Sequence, residues 1–168
     1  SLTQPTVKKG VLNMQLVVKR MTEEYAKQIL TWKYEAPYDF YNNEESSESL
    51  NELLENPYYA VLNTNETLIG FFCIGSAAQV PFGITVGAYS EDISDIGIGM
   101  NPSLTGQGFG AEFFSFIVSY ILETYKVSLR LTVAAFNQRA IHLYTKLGFV
   151  KKMEFSRGAT DFITRVRN

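Results

Sequence analysis

Asp95-Ile-Gly-Ile-Gly-Met-Asn-Pro-Ser-Leu-Thr-Gly-Gln-Gly-Phe-Gly110 is the stretch whose reading decides the fold of this chain. Its first six residues put Asp95, Gly97 and Gly99 on one face of a strand and Ile96, Ile98 and Met100 on the other. The strand is expected over residues 93–100, and Gly106, Gly108 and Gly110 follow at alternate positions. Phe109, Phe113, Phe116, Ile117, Tyr120 and Ile121 then recur at i, i+3, i+4 spacing, which predicts a helix over 106–125. A glycine-rich turn between a strand and a helix aims several backbone N–H groups at one spot, beside the positive end of the helix. That arrangement suits an anion. Glycine there permits positive φ and lets a ligand approach the main chain.

Two nucleotide-binding patterns are excluded on inspection. A phosphate loop of the Walker type ends in Gly-Lys-Ser/Thr, whereas Gly110 is followed by Ala111-Glu112. A dinucleotide fingerprint is Gly-x-Gly-x-x-Gly near the first strand, whereas this turn is Gly-x-Gly-x-Gly in mid-chain.

Outward from this stretch, residues 15–20 read as a strand. Thr22 is placed to cap a helix running to about residue 33, with Glu23 and Glu24 in its first turn. Pro37 and its aromatic neighbours form a loop, and residues 47–55 a second helix ended by Asn56-Pro57. Residues 58–63 and 68–75 make a hairpin. The connection 76–93 is expected to hold an extended piece over 84–89. A strand over 128–134, a helix over 137–147 ended by Gly148, and a strand pair over 149–155 and 161–166 complete the chain. Strands alternating with helices imply an α/β layer structure, with a parallel crossover between residues 93 and 134. No repeat or linker divides the sequence. A single domain is expected over 14–168, preceded by residues 1–13 as a flexible arm or a cloning remnant without the apolar centre of a secretory signal.

The composition narrows the function classes. Of 168 residues, 46% are hydrophobic and 14% aromatic, enough to build a core, so a disordered chain is not expected. A formal net charge of −2 argues against a nucleic-acid surface and suits cationic small molecules. One cysteine, Cys73, in the apolar run 68–74 reads as a buried structural thiol. With no internal disulfide possible, a reducing, cytoplasmic setting is expected, and no apolar run reaches the length of a membrane span. One His and one Cys make no transition-metal cluster, so no metal is expected.

A second signal lies downstream in Asn137-Gln-Arg-Ala-Ile-His-Leu-Tyr-Thr-Lys-Leu-Gly-Phe149. Asn137 is placed as a helix cap, and Ala140, Leu143, Tyr144 and Leu147 share a face. His142 points elsewhere, toward solvent. Taken alone, Tyr144 reads as a packed residue with its hydroxyl satisfied. In this order and spacing, the two segments together resemble the acyl-CoA-binding core of the GNAT superfamily of N-acetyltransferases. The family's pyrophosphate loop is written Gln/Arg-x-x-Gly-x-Gly/Ala. Thr105 stands at the Gln/Arg position, Gly108 and Gly110 at the glycines, and Gln107 is available to compensate for the departure at Thr105.

The resemblance implies a GNAT-like mixed, strongly twisted sheet flanked by helices, with a splayed central strand. It implies acetyl-CoA as cosubstrate, held by Ile98, Gly99, Met100, Thr105, Gly106, Gln107, Gly108, Phe109, Gly110, Asn137 and Ala140. The main chain near Met100 would polarise the thioester carbonyl. Tyr144 matches the family's general acid, which protonates the leaving thiolate. A thiol with a pKa of about 8.5 can take a proton from a tyrosine near 10 as charge develops.

Acyl transfer to an amine needs a group that takes the amine's proton. Asp95 is the first candidate base, with Glu35 and Asp39 as alternatives. Trp32, Tyr34, Tyr38, Gln79 and Tyr89 are expected to line the acceptor pocket, since aromatic faces suit cations. The partner is then a small-molecule or protein amine, with no nucleic acid and no membrane, and the resemblance allows a homodimer. Polyamine, amino sugar, antibiotic, amino acid and protein N-terminus all remain open as acceptors. The alternative reading is a non-catalytic acyl-CoA sensor on the same fold; a third is a module for protein interaction alone.

A thermal-shift titration separates these readings, because a ligand that binds only the native state raises the unfolding midpoint. Acetyl-CoA and CoA are expected to raise it and NAD is not. No rise with either CoA species would leave residues 106–110 as a structural turn.

Overall fold

The computed structural model describes residues 7–8, 11–12, 15–125 and 127–168. Within the expected N-terminal arm, β1 (Val7–Lys8) and β2 (Val11–Leu12) pair antiparallel; the other residues of 1–13 lie outside the described residues. The order continues β3 (Leu16–Arg20), α1 (Glu23–Thr31), α2 (Ser47–Glu55), β4 (Tyr58–Asn63), β5 (Leu68–Ile74), α3 (Pro81–Thr85) and β6 (Ser94–Met100). It closes with α4 (Gly110–Tyr125), β7 (Leu129–Ala134), α5 (Gln138–Lys146), β8 (Val150–Arg157) and β9 (Thr160–Arg167). Seven strands form one mixed sheet in the order β3-β4-β5-β6-β7-β9-β8. β6 and β7 are parallel, while β3-β4, β7-β9 and β8-β9 are antiparallel. Among the described residues, the β6-β7 ladder comprises only Ser94↔Leu129, Asp95↔Arg130 and Ile96↔Leu131, although both strands run further.

The chain forms two compact units, each discontinuous in sequence. The first holds Ser1–Phe72 with Ile98–Val118, the second Cys73–Gly97 with Ser119–Asn168. In the first, the Thr22 hydroxyl accepts from Tyr25 N and starts α1, and the Ser46 hydroxyl accepts from Ser49 N and starts α2. Both helices turn apolar faces inward, so Ala26, Ile29, Leu30 and Leu53 meet Ala60, Leu62 and Leu68 of the strands. In the second, Ala88, Ala134, Phe155 and Phe162 form a core flanked by Val80, Tyr89, Phe136 and Met153. β8 carries a register shift between Lys151 and Met153, and its Val150 is 63% exposed.

Two expectations of the sequence give way. Residues 84–89 are not extended: Pro81 sits in the first turn of α3, whose φ a proline favours, and Gly83 packs closely on Phe155 and Tyr89. The long helix starts at Gly110 and not at residue 106, because Gly106 and Gly108 adopt φ of 74° and 85°. A right-handed helix does not contain such residues.

The two glycines of β6 have a packing reason. A Cβ on Gly99 would overlap the Phe71 ring, and one on Gly97 would lie 2.9 Å from Cys73 Sγ. The close approach that excludes a side chain at these positions is therefore made by the protein itself. Gly99→Ala is expected to cost about 1–3 kcal/mol of stability through overpacking, measured as a lower urea midpoint.

Candidate active site

In the first unit, the end of β6, the glycine turn and the start of α4 form one continuous construction. At its base, the peptide joining Met100 to Asn101 is held from both sides. Tyr34 Oη donates to Met100 O at 2.7 Å, and Asn101 N donates to Ile69 O at 2.8 Å. The Asn101 side chain donates to Leu68 O at 3.1 Å and accepts from Ser103 N at 3.0 Å, capping a short 3-10 turn over Pro102–Leu104. Burial pushes the Tyr34 phenol up to about 12, so its hydroxyl keeps its proton as a donor.

The turn itself is tied by its own side chains. Thr105 Oγ1 donates to Pro102 O at 2.9 Å, and Gln107 Nε2 donates to Ser103 O at 2.6 Å. Gly106, Gln107 and Gly108 are exposed, in front of the 16-residue helix α4. The exposed left-handed turn at a helix N-terminus has the chemistry of a phosphate site, since its donors are main-chain N–H groups.

Phe71 links this strand to a cavity. Its ring covers Gly99 and lies 6.1 Å from Trp32 and 6.1 Å from Tyr58. The same ring lines a cavity of about 280 Å³ together with Leu53, Tyr58, Glu48 and Glu52. Glu48 and Glu52 were not singled out in the sequence. The signal was there, as acids at i, i+4 on α2, but without the fold they read as a solvated helix face. Tyr38 lies half-buried in a 3-10 turn over Tyr38–Tyr41; Glu35 and Asp39 are exposed.

The second unit gathers Asp95, Gln79 and Tyr89, but around a partner the sequence reading did not name. Arg130 donates from Nε to Asp95 Oδ1 at 2.7 Å and from Nη2 to Asp95 Oδ2 at 2.8 Å. Asp95 is 3% exposed and Arg130 2%. Gln79 Nε2 adds a third bond to Asp95 Oδ2 at 2.9 Å. The guanidinium also reaches the carbonyls of Glu91 and Ile93 and lies 5.0 Å from the centre of the Tyr89 ring. The Tyr89 hydroxyl accepts from Val80 N at 3.0 Å and shares a bond of 2.7 Å with Thr132. Burial pushes the Tyr89 phenol up, and those two bonds pull it partly back. The hydrogen bond to Asp95 holds Arg130 above its ordinary range.

Asp95, the first candidate for the base, is thereby placed in a buried ion pair. Both of its oxygens accept from a buried guanidinium, and taking up a proton would break that pairing. The polar ends of Gln79 and Tyr89, both expected to line the acceptor pocket, join the same network. Tyr34, expected to face the acceptor, directs its hydroxyl to Met100 O.

Also in the second unit, Asn137 Oδ1 accepts from Ala140 N at 3.1 Å and starts α5, which Gly148 ends with φ of 90°. Tyr144 is 5% exposed, its ring 5.9 Å from Phe149. His142 is exposed.

The chain belongs to the Acetyltransferase (GNAT) family, whose sequence profile matches residues 21–149. Solved structures of acetyltransferases share the fold. An acetyltransferase of the GNAT family from Bacillus anthracis superposes with a TM-score of 0.68 at 14% identity, over 92% of this chain and 96% of that one. A chimera of the spermidine N-acetyltransferase SpeG from Vibrio cholerae and hSSAT gives 0.63 at 18% identity, over 90% and 94%. Mutant forms of the spermidine/spermine N-acetyltransferase SpeG from Vibrio cholerae give 0.62 at 19%, over 91% and 94%. No curated protein matches the chain by sequence. Among the described residues, no helix is long and apolar enough to cross a membrane.

Removing one partner of the buried pair should be costly. Arg130→Met leaves the Asp95 carboxylate buried without its cation, an expected loss of about 3–5 kcal/mol in urea unfolding. Replacing both, Asp95→Leu with Arg130→Met, is expected to cost less than Arg130→Met alone.

Proposed function

We propose that the chain transfers the acetyl group of acetyl-CoA to a primary amine by direct attack in a ternary complex. The observation that carries this reading is the exposed turn at Gly106 and Gly108, built on the end of β6 and opening α4. In this reading the main-chain N–H groups of Gln107, Gly108, Phe109 and Gly110 hold the pyrophosphate, with Thr105 and Gly106 shaping the turn. The main chain of Ile98, Gly99 and Met100 runs along the pantetheine arm, and the Met100 peptide polarises the thioester carbonyl. Asn137 and Ala140 contribute from the start of α5.

The proton inventory of the reaction assigns the remaining roles. The amine nitrogen bonds to the acetyl carbon and the carbon–sulfur bond breaks. Tyr144 gives its proton to the departing sulfur. The proton lost by the amine passes to a carboxylate, Glu35 or Asp39, or to water. Asp95, bound on both oxygens, is left out.

An amine acceptor is supported by the cavity beside Phe71. Glu48 and Glu52 line it together with Tyr58 and Phe71, a combination of acids and aromatic rings that suits a cation on an apolar stem. Trp32 and Tyr38 belong to the neighbouring segment and complete the acceptor side. The spermidine activity named for the SpeG structures points the same way.

A screen of linear monoamines, diamines and triamines, read by thiol release from acetyl-CoA, tests the reading. Turnover with none of them and with no peptide amine would overturn it. Tyr144→Phe is expected to lower kcat by about 10²–10⁴-fold. Its CoA affinity by calorimetry should stay near that of the wild type. An unchanged kcat would remove Tyr144 from the chemistry.

A further inference from the structure

We propose that Tyr34 is a positioning residue of the acetyl-transfer site, acting through the peptide that joins Met100 to Asn101. The inference rests on the acetyl-transfer reading above and adds a role that reading does not contain. The peptide in question is the joint between two parts with different duties. On one side, β6 ends at Met100, whose main chain polarises the thioester. On the other, Asn101 caps the 3-10 turn that leads into the phosphate-binding turn. If this joint swivels, the thioester and the pyrophosphate lose their common alignment.

The structure fixes the joint from three directions. Asn101 N is bonded to Ile69 O at 2.8 Å, and the Asn101 side chain to Leu68 O at 3.1 Å, so β5 holds one side. The carbonyl on the other side accepts at 2.7 Å from Tyr34, which comes from a separate segment 66 residues earlier. Two bonds hold that segment in turn. Tyr34 N donates to Asn42 Oδ1 at 2.8 Å, and Lys33 Nζ donates to Asn43 O at 3.2 Å, closing the loop after α1 on itself. A phenol whose titration is pushed up to about 12 donates throughout any assay range. The hydroxyl therefore acts as a clamp and not as an acid or base.

Such a clamp affects alignment more than binding, and alignment shows in kcat. Tyr34→Phe keeps the ring and removes only the donor. With acetyl-CoA and a linear alkyl diamine as probes, kcat is expected to fall about tenfold while both KM values stay within about twofold. Hydrogen exchange should quicken in the peptide spanning residues 100–104, where the joint loses one of its three restraints while the Asn101 amide keeps its bond to Ile69 O. Asn42→Ala, a change at an exposed residue, loosens Tyr34 without touching its ring and should move kcat and exchange in the same direction by less.

A rise in the KM of the diamine with kcat unchanged would overturn the proposal and return Tyr34 to the acceptor pocket. A lower thermal midpoint with unaltered kcat would also overturn it, leaving a purely structural bond. Exchange identical to wild type in Tyr34→Phe would sink the clamp by itself. Wild-type protein that releases no thiol with any amine would sink the acetyl-transfer reading instead, and the exchange comparison still separates the two failures.

Discussion

The second unit is organised around one buried ion pair. Asp95 and Arg130 are direct neighbours in the parallel register of β6 and β7, so their side chains meet without any loop to bring them together. A charge taken out of water is tolerated only when its hydrogen-bonding capacity is met. Arg130 meets its own by collecting the carbonyls of Glu91 and Ile93 as well as both carboxylate oxygens. The chain before β6 is thus tied to the strand it enters. Gln79 and Tyr89 tie an earlier part of the same connection to the same two strands. The connection is in this way fixed by polar bonds to β6 and β7, beside the apolar anchorage that Val80, Ala88 and Tyr89 supply.

The glycine turn follows a different logic. Its side chains are used within the turn: Thr105 bonds back to Pro102 and Gln107 to Ser103. Family members carry Gln or Arg where Thr105 stands. Here the shorter side chain closes the turn. What remains outward is main chain, held in shape by bonds that exist before any ligand arrives. Ordering a loop upon binding subtracts from affinity, and a turn already ordered avoids that loss.

Much of this was legible in the sequence, and what was missed follows a pattern. Caps and turn residues act locally, so Thr22, Asn137 and Gly148 were read at their positions, and the order of strands and helices followed from periodicity. The piece over 84–89 was misread because a short apolar run has no period to distinguish strand from helix, while Pro81 lay outside the run considered. Side-chain roles set by distant partners were harder to read. Asp95 read as a base because nothing near it in sequence reveals Arg130, 35 residues on. The partners that Tyr34, Gln79 and Tyr89 meet within the protein were equally hidden, because a hydroxyl or amide reads the same in sequence whatever it faces. Glu48 and Glu52 were passed over for the converse reason: charged residues on a helix are ordinary until a cavity is found beside them.

The irregularity in β8 bears on how copies of this chain behave toward one another. β8 closes the sheet order, so one of its sides offers main-chain donors and acceptors that no neighbouring strand in the sheet takes up. An even ladder of that kind is a template on which another strand can crystallise. The register shift between Lys151 and Met153 spoils the spacing of that template, and at the irregularity stand the charged side chains of Lys151, paired with Glu154, and Lys152, paired with Glu91. The apolar Val150 stands exposed beside them but cannot extend into a continuous adhesive strip. A sheet edge of this build is of the kind that disfavours strand addition between copies, through one displaced residue and a charged stretch.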